Sequence, residues 1–193
     1  MTITTTAQPA EALHLFLSEL SHTVAVVSEQ SDGALADVAA RAKNANRVFL
    51  VGAGRSGLAL RMTAMRLMHL GLDVHVVGDV TTPAIAEGDI LIAASGSGTT
   101  GGIVRAAETA RKAGADVVAL STTDASPLSE LASVTVLVPA AAKQDHGGSA
   151  SQQYSGGLFE HTLVLVGDAL FHTLWKGLGE SADTLWTRHA NLE

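Results

Sequence analysis

The feature that most constrains this chain is a repeated unit in which a short, continuously apolar run meets a glycine turn and then a segment with helical spacing. It appears first at Arg47-Val48-Phe49-Leu50-Val51, closed by Gly52. A helical pattern follows, in which Leu58, Met62, Met65 and Leu70 share a side before Gly71 stops it. The unit returns at Asp89-Ile90-Leu91-Ile92-Ala93-Ala94, which runs straight into Ser95-Gly96-Ser97-Gly98-Thr99-Thr100 and a helix ending near Gly114. Residues 74–77, 117–120 and 134–138 supply three further strands, and Ser126-Pro127 caps a short helix before the last of them.

Strands this uniformly apolar are covered on both faces. Their alternation with helices predicts an α/β fold: a three-layer, doubly wound, five-stranded parallel sheet in the order 2-1-3-4-5, with right-handed crossovers. In that order strands one and three are neighbours, so the two glycine loops lie side by side where ligands bind, beyond the carboxyl ends of the strands. Upstream, Pro9 opens a stretch with Leu13, Phe16, Leu17, Leu20 and Val24 at helical spacing, and a second helical segment covers residues 34–45. With 193 residues and 47% hydrophobic content, one core is affordable and two are not. The chain therefore reads as a single domain, 1–193, made of a helical prefix (1–46), a sheet core (47–138), a polar loop with the last helix (139–177) and a tail (178–193).

Charge and composition remove several classes of function. Twelve Lys and Arg against 19 Asp and Glu give a formal charge of −7 with no basic cluster, which argues against nucleic acid as a partner. The absence of cysteine excludes disulfides, thiolate metal sites and cysteine nucleophiles. No basic stretch precedes an apolar segment at the N-terminus, and the most apolar later run is broken by Asp168 and His172, so neither secretion nor membrane spanning is expected and a cytoplasmic location is. The histidines form no H-x-x-x-H or H-E-x-x-H pair, and Glu160 and His161 are neighbours read as pointing to different helix faces, so no metal is expected.

Gly52-Ala53-Gly54-Arg55-Ser56-Gly57 is a literal G-x-G-x-x-G between strand and helix, the pattern of a dinucleotide site. Such a site wants an acidic residue at the end of the second strand, and Asp79 lies beyond it. The 95–100 loop points elsewhere. Ser95, Ser97, Thr99 and Thr100 place hydroxyls among Gly96 and Gly98 at a helix start, where backbone N–H groups and roughly half a positive charge from the helix dipole suit a phosphate monoester. The same residues also serve as plain helix caps in proteins that bind nothing there.

These loops, together with Ala64-Met65-Arg66-Leu67-Met68-His69-Leu70-Gly71, Gly157-Leu158-Phe159-Glu160 and the tail Arg188-His189-Ala190-Asn191-Leu192-Glu193, resemble the SIS sugar-phosphate isomerases and, among them, the 6-phospho-3-hexuloisomerases. The resemblance covers nearly the whole chain and implies the same flavodoxin-like order. It implies conversion of 3-hexulose 6-phosphate to fructose 6-phosphate through a 2,3-enediolate, without a cofactor, in the ribulose monophosphate route of formaldehyde fixation. It also implies that Glu160 is the base and that Ser56 contributes to substrate binding.

Other candidates follow from position. Arg55 could supply a positive charge to the phosphate or serve as a surface or intersubunit ion-pair residue, and Gln152 and Gln153 could bind sugar hydroxyls or line a solvated loop. His69 lies twelve residues past Gly57, about 18 Å along one helix, and so could act as an acid/base only in a neighbouring subunit's site. A histidine favoured at a helix C-terminus reads the same way. His189 could likewise reach a partner. Trp175 and Trp186 near the C-terminus fit a homodimer or homotetramer. Two other functions fit the fold: a non-catalytic sugar-phosphate sensor, against which stands the lack of a flanking helix-turn-helix segment, and a nicotinamide-dependent oxidoreductase.

Overall fold

The computed structural model describes residues 8–140 and 151–192. Helices α1 (Pro9–Gln30) and α2 (Asp32–Asn44) precede the sheet, with Pro9 in the first turn of α1 where its missing N–H costs nothing. The sheet holds β1 (Val48–Gly52), β2 (Val74–Val76), β3 (Ile90–Ala94), β4 (Asp116–Ser121) and β5 (Val134–Leu137). All pairings are parallel and the order is β2-β1-β3-β4-β5, the doubly wound order predicted from the sequence. Between the strands run α3 (Gly54–His69), α4 (Gly101–Lys112) and α5 (Pro127–Leu131), followed by α6 (Gly157–Leu178) and α7 (Ala182–Trp186).

The period of two along each strand divides the core in two. Val48 and Leu50 of β1, with Ile90 and Ile92 of β3, pack under α2, α3 and α6, while Phe49, Val51, Leu91 and Ala93 pack under α4 and α5. Truncating Leu50, which is fully buried, would cost about 2–5 kcal/mol. At the lower end of the sheet Asp89, also buried, receives the Arg47 guanidinium at 2.6 and 3.0 Å and the Ala86 N–H at 2.8 Å.

Helix α3 differs from the sequence expectation. Leu58, Met62 and Met65 do share a side, but it is the exposed one, at 62%, 54% and 59% exposure, and Leu70, at the C-cap, is not on it but buried. The buried side carries Ser56, Ala59, Leu60, Thr63, Ala64 and Leu67. Small residues are selected there because α3 crosses α6 closely: a Cβ at Gly167 of α6 would lie 2.1 Å from Thr63 Oγ1.

The tail is docked. Ser181 caps α7 by accepting from the Thr184 N–H at 3.1 Å. Arg188 then donates to Glu180 and to the His69 carbonyl, at 2.8 and 2.9 Å, closing the C-terminus of α3.

Candidate active site

Three loops meet at the carboxyl ends of β1 and β3. Gly52 and Ala94 are register partners, so the turns that follow them start side by side. The first turn is tight because β1 and α3 nearly touch: a Cβ at Gly57 would sit 2.5 Å from the Gly52 carbonyl oxygen. This close crossing places Arg55 and the buried Ser56 in the first turn of α3, facing the switch in strand order.

The 95–100 loop is held from below by the end of β4. The Gly96 carbonyl accepts from the Thr122 N–H (3.0 Å) and from the hydroxyls of Ser121 (3.1 Å) and Thr122 (2.8 Å). Gly98 adopts φ +64°, and its carbonyl accepts from the Leu128 N–H at 3.1 Å. Above this base the Ser95 and Thr100 hydroxyls lie 2.9 Å apart, and Ser97 Oγ accepts from the Thr99 hydroxyl at 2.9 Å. Ser95 is buried, whereas Ser97, Thr99 and Thr100 are exposed. Thr100 does not cap α4 with its side chain, so the helix start presents its dipole beside a row of hydroxyls.

The third component is the first turn of α6, which begins after Gly156 at φ +81°. Glu160 is 5% exposed there, and its Oε2 accepts from Arg55 Nε at 2.5 Å. Arg55 Nη2 also lies 3.4 Å from His161 Nε2. Phe16, Arg55, Gln153, Tyr154, Ser155, Gly157, Glu160 and His161 line a cleft of about 540 Å³. The structure thus brings Arg55, Gln153 and Glu160 into one cleft. The 95–100 loop adjoins it without lining it, Gly96 packing near the Phe159 ring that precedes Glu160. A partly open pocket of about 210 Å³ between α2, α3 and α6 is walled mainly by Leu, Val and Ala, with no cationic side chain in its lining.

Sequence reasoning missed two residues here. Glu19 of α1 accepts from the Ser151 hydroxyl (2.8 Å), the Gln152 N–H (2.8 Å) and Gln153 Nε2 (3.0 Å). Burial pushes the Glu19 carboxyl up, but these hydrogen bonds outweigh it and hold the group below the usual carboxylate value. No local pattern marks a contact spanning more than 130 residues. His161 is the second, with Nδ1 2.9 Å from Gln153 Oε1. Its adjacency to Glu160 was read as turning the two to different helix faces, but both line the same cleft, where the Arg55 guanidinium reaches both side chains.

His69 and His189 lie together at the opposite end of α3, their rings stacked at 5.3 Å, with Trp186 stacked on His189 at 4.6 Å. Burial, followed by the nearby charges of His189 and Arg66, lowers the His69 pKa. Asp79 lies past β2 and is paired with Arg61 at 2.6 Å, so the acid that a dinucleotide site needs is engaged elsewhere. Lys143, Gln144 and His146, part of the polar loop read from the sequence, lie outside the described residues.

A doubly wound sheet with a hydroxyl-rich loop after β3 and a buried carboxylate across the switch point defines a class, and the family model for the SIS domain matches residues 43–159: the chain belongs to the SIS family. Within it, the chain is 54% identical to 3-hexulose-6-phosphate isomerase of Mycobacterium gastri, covering 94% of this chain and 89% of the relative. It is 38% identical to the Bacillus subtilis protein of the same name, covering 92% and 95%. A Methanococcus jannaschii protein, whose crystal structure infers a molecular function of 3-hexulose-6-phosphate isomerase, superposes with a TM-score of 0.81 at 26% identity. That match covers 95% of this chain and 99% of the other.

Proposed function

We propose that this protein interconverts 3-hexulose 6-phosphate and fructose 6-phosphate. The observation that carries the reading is the buried Glu160 carboxylate, set at the start of α6 against Arg55, on a chain 54% identical to a protein bearing that name. The hydroxyls and helix start of the 95–100 loop bind the phosphate, Ser56 binds the sugar chain, and Gln153, its amide engaged by Glu19 and His161, shapes the cleft wall beside it. Glu160 takes the proton from C2 and returns it at C3, while Arg55 stabilises the enediolate between the two steps. The protein would serve formaldehyde fixation by the ribulose monophosphate route, in the cytoplasm. No helix among the described residues is long and apolar enough to cross a membrane.

The exposed Leu58, Met62 and Met65 side of α3 supports a homo-oligomer, a dimer or tetramer. In it His69, and His189 stacked upon it, would serve a neighbouring subunit's site, since α3 separates them from their own.

The test is to incubate purified protein with 3-hexulose 6-phosphate and follow fructose 6-phosphate without added nucleotide. Wild type turns over, and Glu160→Gln binds the substrate yet loses about a hundredfold or more in kcat. Wild-type turnover in Glu160→Gln would reject the assignment of the base.

A further inference from the structure

Moving a carbonyl from C3 to C2 requires two proton transfers, and one carboxylate accounts for only one of them. The carbon-bound proton leaves C2 and returns at C3. Separately, the O2 hydroxyl must lose a proton as C2=O forms, and O3 must gain one as C3=O becomes C3–OH. The second transfer needs a group that accepts and then donates at oxygen.

The chain of contacts through the 151–153 segment fixes one. The Glu19 carboxylate only accepts, so the group that Gln153 turns toward it, 3.0 Å away, is its NH₂. The amide oxygen of Gln153 therefore faces His161 Nδ1 at 2.9 Å, and that nitrogen must carry the hydrogen. Nε2 then faces the Arg55 guanidinium at 3.4 Å, a group that only donates, which makes Nε2 the nitrogen with the lone pair. His161 lines the cleft that also holds Arg55 and Glu160, so Nε2 meets substrate once Arg55 turns from it to the enediolate. The Phe16 ring, with its centroid 6.2 Å away, flanks the imidazole from α1.

We propose that His161 carries the oxygen-bound proton of the isomerisation, its tautomer set by Glu19 acting through Gln153. The chemical step rests on the isomerase reading above. As Glu160 removes the C2 proton, the C–H electron pair becomes the C2=C3 bond and the carbonyl pair moves onto O3. Nε2 takes the proton of the O2 hydroxyl and the resulting imidazolium delivers it to O3. C2=O forms, and Glu160 returns its proton to C3. One proton on carbon and one on oxygen have each moved by one position, and both side chains end as they began. Glu19 and Gln153 are positioning residues in this scheme, which explains why a helix distant in sequence holds the 151–153 segment with three hydrogen bonds.

The test joins a spectroscopic readout that needs no substrate to a kinetic one. In ¹⁵N-histidine-labelled wild type, the His161 ring shows the Nδ1–H tautomer, and Glu19→Gln shifts it toward Nε2–H or a mixture, because residue 19 can then donate and the Gln153 amide is free to turn. Gln153→Met, which removes the amide, serves as the second variant if Glu19→Gln does not fold. His161→Gln lowers kcat about a hundredfold with KM little changed. An Nε2–H tautomer in wild type, an unchanged tautomer in both positioning variants, or wild-type kcat in His161→Gln overturns the proposal. A wild-type protein that fails to isomerise the sugar overturns the isomerase reading and the proton-carrying step together, while the tautomer spectrum still decides whether Glu19 orients His161.

Discussion

Replacing Gly98 by alanine tests the geometry of the hydroxyl-rich loop. At φ +64° a residue with a Cβ loses about 1–2 kcal/mol relative to glycine. The added methyl would also lie 2.0 Å from Ser126 Oγ and 2.4 Å from Ser126 Cβ. Ser126 is not free to turn away, because its hydroxyl accepts from the Ser129 N–H and caps α5. Overpacking of this kind costs about 1–3 kcal/mol, and loss of the cap about 1 kcal/mol more. The expected destabilisation is about 3–6 kcal/mol, a large share of the roughly 5–15 kcal/mol that holds a domain together. Gly54→Ala is the control: φ is +58° and nothing lies within 4 Å of the new methyl, so about 1–2 kcal/mol is expected from backbone conformation alone. Urea unfolding followed by far-ultraviolet circular dichroism measures both. A Gly98→Ala midpoint no lower than that of Gly54→Ala would refute the argument that Ser126 and Gly98 lock the loop.

Gly167→Ala should cost about 1–3 kcal/mol through its clash with Thr63, and adding Thr63→Ala should recover most of it, as a double-mutant cycle in urea would report. Asp89→Asn leaves the Arg47 guanidinium without its anion and should cost about 1.5–3 kcal/mol, read from the same unfolding curves. Because the folded state lowers the His69 pKa, the unfolded chain binds more protons between that lowered value and about 6.5. Stability should therefore fall as pH is taken down through that window, and the fall should be shallower in His69→Gln.

The strands were legible because a strand covered on both faces cannot avoid reading as an apolar run, and the β1–β3 adjacency followed from the doubly wound order. The face of α3 was not. Its apolar periodicity is real, but close packing against α6 needs small residues, so Ala59, Thr63 and Ala64 went inward and Leu58, Met62 and Met65 outward. Arg55, Gln153 and Glu160 were legible as candidates from their place beside glycine turns and from family resemblance. Their shared cleft became visible only once α6 was packed against α3. Glu19 carried no sign at all, since an exposed-looking acid in a first helix announces nothing about a loop on the far side of the sequence. The docking of the tail through Arg188 was equally hidden, because it depends on where α3 ends in space.

The most direct measurement is a crystal structure of the Glu160→Gln variant with fructose 6-phosphate bound. The phosphate should lie against the hydroxyls of Ser97, Thr99 and Thr100 at the start of α4, with C2 and C3 of the sugar reaching the residue 160 side chain. Electron density for the phosphate at any other surface, with the 95–100 loop bare, would contradict the account.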